Sequence, residues 1–262
     1  MNTYANLLAE QRPDGVLILS INRPAQYNAL SIATVEELEA ALTEARADTA
    51  VKAILLTGVG PKSFIAGADI NEFLGLEAAA SQAFAERGQH VLQQLETMPK
   101  PVLAAINGFA LGGGCEVAMA CHVRVASENA SLGQPEVRLG IIPGYGGTQR
   151  LPRLVGKGKA LEMMLTGQPV TAAEAHRIGL VNHVVPAAEL LPFSLGLLTQ
   201  MLDKAPLALA KVIEAVNASV ALSETDGYHA EAVAFAACCH SADFREGALA
   251  FVEKRAPAFK GN

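Results

Sequence analysis

No stretch of the 262-residue sequence stays apolar long enough to cross a membrane, because charge or glycine breaks every run well before the roughly 18 residues a span needs. Basic clusters are missing as well. With 20 Lys and Arg against 26 Asp and Glu, the net charge of −6 leaves none of the concentrated positive surface that neutralising nucleic-acid phosphates requires. Charged residues are sparse at 18% and hydrophobic ones make up 51%, which excludes a disordered chain. The 23 glycines keep no three-residue period, so a collagen-like fibre is excluded too. Cys115, Cys121, Cys238 and Cys239 lack the spacing of a disulfide framework and point to a reducing compartment. The first fifteen residues have no basic start leading into an apolar stretch, so no secretory signal is expected and a soluble cytoplasmic protein is read.

Familiar catalytic signatures are absent in the same way. HExxH and GxSxG do not occur, which removes the usual support for zinc or serine hydrolases. GVGPKS lacks the GK[ST] ending of a phosphate-binding P-loop, and the glycines at 112–114 fail the GxGxxG spacing because Val117 stands three residues after Gly114. Cys238-Cys239-His240 has no second ligand pair, so these thiols are expected to be buried in a helix and no metal is expected.

What is present is an alternation. At this length one core is close to the largest a single domain supports. VLILSI, VKAILLTG, VLAAI and HVRVA read as buried strands, and LVNHVV as a last strand-like run. Between them lie helical patterns. Val35, Leu38, Leu42 and Ala45 form an apolar stripe behind a Thr34/Glu37 capping pattern, and Phe84, Gly88, Val91, Leu95 and Met98 form another that ends at Pro99-Lys100-Pro101. Asp69 and Glu72 suggest a helix starting just after AGADI, and Thr171 with Glu174 caps a short helix closed by Gly179. From Pro152 onward the chain reads as mainly helical. The fold class is α/β with a helical C-terminal portion.

Four segments could carry chemistry. Gly112-Gly113-Gly114, after a strand and at the mouth of a helix, suits an anion or a developing oxyanion through free backbone N–H groups; close helix packing is the other reading. Glu116 follows in CEVAMAC among apolar residues and thiols, where a carboxylate must be partnered, protonated or turned to a cavity. Glu136 in GQPEVRLG is either a solvated turn residue or the second member of a pair that divides acid and base work. SFIAGADI offers close backbone approach, with Asp69 read as a helix cap, and GIIPGYGGTQRL is a glycine loop suited to lining a pocket. Arg150, Arg153, Lys157 and Lys159 are expected on a solvated helical face.

In order along nearly the whole chain, NRPAQYNAL, FIAGADI, NGFALGGGCEVAMAC, GQPEVRLGIIPGYGGTQRLPRLVG and FVEKRAPAF resemble the enoyl-CoA hydratase/isomerase (crotonase) family. The resemblance implies a spiral of strand-strand-helix repeats over residues 1–195 that carries the acyl-CoA site. It also implies a C-terminal helical region, 196–262, that closes the site and builds homotrimers, usually paired into homohexamers. The ligand implied is an acyl-CoA thioester, with no metal and no redox cofactor; coenzyme A is part of the substrate. Ala68 and Gly113 match the two backbone oxyanion donors, and Glu116 and Glu136 the two catalytic carboxylates. Substrate contacts are carried over to Ala25, Lys62, Ala66, Asp69, Ile70, Gly112, Pro135 and Gly144. Two departures stand out. Ala25-Gln26 follow NRP where the family is often basic, leaving Lys62, Lys254 or Lys260 for the phosphates, and Tyr145 replaces a smaller residue, which bears on acyl-chain length.

Adding water to a 2-enoyl thioester drives electron density onto the thioester oxygen, the place two aimed N–H donors stabilise. The expected activity is therefore enoyl-CoA hydration. Isomerase, dehalogenase, thioesterase and decarboxylase chemistry can use the same oxyanion hole; retention of both glutamates favours hydration. A noncatalytic RNA-associated protein on this scaffold is disfavoured by the acidic charge.

Overall fold

The apolar runs become strands with both faces covered. In the computed structural model, which describes residues 3–262, the larger sheet holds β1 (Leu7–Gln11), β2 (Val16–Ile21), β3 (Ala53–Gly58), β5 (Val102–Ile106), β7 (Val123–Ser127) and β10 (His183–Val185) in that order. Only β1–β2 is antiparallel; every later pair is parallel. Parallel strands have to be buried on both sides, which is why β3 and β5 are buried throughout and almost wholly apolar rather than alternating, the one hydroxyl, Thr57, donating to the Ala105 carbonyl. Their side chains still divide by period two. Ile54, Leu56, Ala104 and Ile106 enter the main core, whereas Ala53, Leu55, Leu103 and Ala105 join a smaller cluster with Leu190 and Leu198.

A second sheet holds β4 (Ser63–Ile65), β6 (Phe109–Leu111), β8 (Ser131–Gly133) and β9 (Val170–Thr171). The helices are α1 (Ile32–Ala47), α2 (Ala78–Glu96), α3 (Gly113–Ala120), α4 (Gly147–Val155), α5 (Lys157–Thr166), α6 (Ala172–Arg177), α7 (Leu190–Leu202), α8 (Pro206–Ala221), α9 (Glu224–Cys239) and α10 (Ala242–Glu253). The repeat is visible in their order. A strand of the large sheet, a strand of the small one and a helix recur as β3-β4-α2, β5-β6-α3 and β7-β8-α4, so the chain winds as a spiral. The small-sheet strands have three residues or fewer, too short for a periodic signal, and the sequence reading passes over them as loops.

Several caps differ from expectation. Ser31, not Thr34, caps α1 by accepting the Thr34 N–H, while Glu37 turns away to accept N–H groups of Ala5 and Asn6. Asp69 precedes only a three-residue 3-10 turn and makes no side-chain cap, and the long α2 begins at Ala78. Thr171 caps α6 through the Glu174 N–H as expected. Cys115 and Cys121 are buried, but Cys238 and Cys239 are half-buried rather than enclosed.

α7 lies on the large sheet, and residue 195 falls within it. α8 and α9 pack on each other and leave Val212, Val216, Tyr228 and Phe235 exposed. The chain after α10 folds back, its Lys260 and Gly261 N–H groups donating to the buried Asp243 carboxylate. Among the described residues no helix is long and apolar enough to cross a membrane.

α3 is placed by a close approach of two backbones. A Cβ added at Gly114 would lie 2.0 Å from the Ile65 carbonyl oxygen of β4, and main chain cannot swing aside as a side chain can. Gly114→Ala is expected to cost on the order of 1–3 kcal/mol through overpacking, read as a lower urea midpoint; an unchanged midpoint would contradict this packing.

Candidate active site

The end of β4 leads into residues 66–69, which run alongside residues 27–30. Ala66 N–H donates to the Tyr27 carbonyl, Leu30 N–H to Gly67, and Asp69 N–H to Leu30. This ladder uses the N–H groups of Ala66 and Asp69 and the carbonyl of Gly67, and leaves out the Ala68 N–H. Gly113 is unpaired for a different reason: as the first residue of α3 it has no carbonyl one turn back to receive its N–H. A Cβ on Gly113 would stand 3.5 Å from the Ala68 nitrogen, so the two segments meet here. Among the described residues neither N–H has an acceptor within the chain. Two free donors at a helix N-terminus form a ready site for negative charge.

Glu116 lies on α3 in the turn that follows. It is 2% exposed, and its Oε1 accepts the N–H groups of Tyr145 at 2.8 Å and Gly147 at 2.6 Å. Burial pushes its pKa up to about 7, helped by the Glu136 charge and opposed by the two N–H groups and by Arg150. Glu136 opens a 3-10 turn after Pro135, is 8% exposed, and is also raised by burial to about 7. With its amide nitrogen toward the carboxylate, Gln134 donates to Oε1 at 2.8 Å and Oε2 at 3.1 Å of Glu136. Gly112 takes φ +51, and a Cβ there would lie 3.0 Å from Glu136 Oε1. Both carboxyl groups and both donor residues border one cleft of about 500 Å³.

The chain as a whole has close counterparts. Residues 11–262 match the family model for enoyl-CoA hydratase/isomerase. The chain belongs to that family. It is 46% identical over 256 residues to a crotonyl-CoA hydratase of Syntrophomonas wolfei, covering 98% of both, and 45% identical to a short-chain-enoyl-CoA hydratase of Clostridium acetobutylicum, covering 92% of both. A crystal structure of an enoyl-CoA hydratase from Bacillus anthracis superposes with a TM-score of 0.94 at 39% identity, covering 98% of this chain and all of that one.

Of the positions carried over from the family, Ala66, Ala68, Ile70, Gly112, Gly113, Glu116, Pro135, Glu136 and Gly144 line the cleft. Ala25, Lys62 and Asp69 do not. Ala25 is exposed in a short turn, Lys62 is exposed with its ammonium 5.9 Å from the Tyr27 ring, and Asp69 pairs with Arg23 at 3.0 Å. The Arg23 hydrogen bond holds the Asp69 carboxyl below its ordinary range, so this residue serves the turn as an ion-pair partner rather than as a cap. Lys254 and Lys260 are exposed in the C-terminal segment. The GIIPGYGGTQRL loop lines the cleft as expected, through Ile141, Ile142 and Tyr145, but the sequence reading missed Phe73, Phe84 and Leu139. The buried Tyr145 ring stands 5.5 Å from that of Phe84. Gln134 was also passed over, although its place beside Glu136 in GQPE was a signal. Arg150, expected in solvent, is largely enclosed and bonded to Glu96 and to the Tyr145 carbonyl. Burial, foremost, pushes the Cys115 thiol to about 12, so it stays neutral beside Glu116.

The raised carboxyl groups link folding to pH. A carboxyl at about 7 in the folded chain and near 4.5 in the unfolded one leaves the native state holding more protons between those values. Stability from this source is full below pH ~4.5 and is lost as pH rises through about 7. Glu136→Gln should therefore gain thermal stability relative to the parent as pH rises from 5 to 8. A difference independent of pH would contradict the raised carboxyl.

Proposed function

We propose that the protein is an enoyl-CoA hydratase that adds water to a 2-enoyl-CoA thioester and gives the 3-hydroxyacyl-CoA. The observation that carries this reading is the meeting, in one cleft, of two buried carboxyls near neutrality with two unpaired main-chain N–H groups. The thioester oxygen accepts from Ala68 and Gly113. Ionised Glu116 takes a proton from the water whose oxygen bonds to Cβ; the Cα–Cβ π electrons shift toward Cα and the thioester oxygen, where the two N–H groups stabilise the charge. Protonated Glu136, which also holds the water, then delivers its proton to Cα on the same face. Proton exchange between the two carboxyls restores the starting state, and two groups near pH 7 share one proton readily at that pH. No metal or redox group enters, and coenzyme A arrives as part of the substrate.

The bulk of Tyr145 and Phe84, packed on each other in the cleft wall, supports a short acyl chain. The exposed apolar side chains of α8 and α9 support a homotrimer in which these helices are covered, with trimers pairing into hexamers. Four unpaired thiols fit a reducing cytoplasm.

Loss of the conjugated thioester absorbance on mixing with crotonyl-CoA tests the reading. The parent should hydrate it faster than longer enoyl chains, and Glu116→Gln and Glu136→Gln should each lose about 10²- to 10⁴-fold in kcat. A parent that leaves crotonyl-CoA intact but moves the double bond of a 3-enoyl-CoA would be an isomerase instead.

A further inference from the structure

The loop that feeds Glu116 is itself held by a charge. Glu116 Oε1 takes the N–H groups of Tyr145 and Gly147, so only its other oxygen is free to face the cleft. Between those two donors, the Tyr145 carbonyl points the opposite way and accepts Arg150 Nη1 at 2.8 Å. The Arg150 side chain is only 11% exposed and its guanidinium is braced on Glu96, with Nη2 at 2.9 Å and Nε at 3.3 Å from the same carboxylate oxygen. Gly146 makes the contact feasible: at φ +101 it has no side chain, and a Cβ would lie 2.4 Å from Arg150 Nη1. Glu96 closes α2, the helix that brings Ser81, Phe84 and Ala85 to the cleft, and its own carbonyl accepts from Asn217 of α8 at 2.7 Å.

We propose that Arg150 is a positioning residue for Glu116: braced on Glu96, its guanidinium fixes the Tyr145 peptide and so aims two N–H groups at one carboxylate oxygen, leaving the other for the water. This rests on the reading of Glu116 as the group that activates water. Arg150 does not line the cleft, so it acts through the loop rather than on substrate. Its positive charge also favours ionised Glu116, against the Glu136 carboxylate on the facing 3-10 turn; Cys115 and Tyr145, the other titratable neighbours, are held neutral by burial. Arginine suits this task because the spread donors of its planar fork reach the carbonyl through Nη1 and the carboxylate through Nε and Nη2, whereas a lysine offers its donors from a single nitrogen.

Steady-state kinetics of Arg150→Met, Arg150→Lys and Glu96→Gln across pH test the proposal. Arg150→Met should lose about 10- to 100-fold in kcat with KM for crotonyl-CoA little changed, and the acid limb of its kcat/KM profile should move to higher pH. Arg150→Lys should restore the position of the limb while recovering kcat only in part, and Glu96→Gln, which keeps the cation but loses its brace, should lose kcat to an extent between Arg150→Met and the parent with its limb no higher in pH than the parental one. If Arg150→Met does not fold, the other two variants carry the same test. A second readout is the double variant with Glu116→Gln, expected to be no slower than Glu116→Gln alone. Parental kcat and acid limb in all three Arg150 and Glu96 variants would overturn the proposal, and so would additive losses in the double variant. A fully active Glu116→Gln would instead overturn the hydration mechanism, and the proposal with it.

Discussion

Glu116 is an ionisable carboxyl inside an eight-residue apolar helix, and the structure around it exists to make that placement tolerable. An unpaired carboxylate in such surroundings would be strongly disfavoured. Here one N–H group from the loop before α4 and one from the first residue of that helix meet one of its oxygens, burial raises its pKa to about 7, and the remaining oxygen borders the cleft. The glycines follow from the same constraint. Gly112 clears the Glu136 carboxylate, Gly114 lets α3 reach β4, and Gly147 brings main chain to within hydrogen-bonding distance of Glu116. The far end of α3 is held as well, since the buried Arg124 guanidinium donates to the Cys121 carbonyl, a cation where the helix terminus is negative.

The donor pair shows how much of the geometry of an anion site main chain can supply. Ala68 is left free because the ladder with residues 27–30 draws on the N–H groups of Ala66 and Asp69 and passes over its own, and Gly113 because a helix start has no carbonyl to offer. Neither depends on a side chain that a rotamer change could displace. Donors fixed in advance of the reaction need no reorganisation as charge develops, which is the basis of this kind of stabilisation.

The sequence made the large-sheet strands legible because parallel strands buried on both faces are continuous apolar runs, as VLAAI is. It did not expose β4, β6 and β8, since three residues hold no period, yet these strands bring residues 66–68 and 112–113 together. Glu116 was legible from its apolar setting alone. Glu136 was not: it reads as a turn residue by itself, and only its resemblance to the family separated the two readings. Arg150 was misread because a run of basic residues on a helix looks like a solvated face. Its burial depends on Glu96, 54 residues earlier, and no local pattern records that pairing. Tyr145 was legible as a pocket residue, but its partners Phe73 and Phe84 went unseen for the same reason, lying 72 and 61 residues earlier in the chain.

The most direct measurement is a crystal structure of the protein with an unreactive acyl-CoA bound. The account predicts the thioester oxygen at about 2.7–3.1 Å from both the Ala68 and Gly113 nitrogens, with the carbon corresponding to Cβ turned toward Glu116 and Glu136. A thioester oxygen that meets neither N–H, or an acyl chain leading away from the two carboxyls, would contradict it.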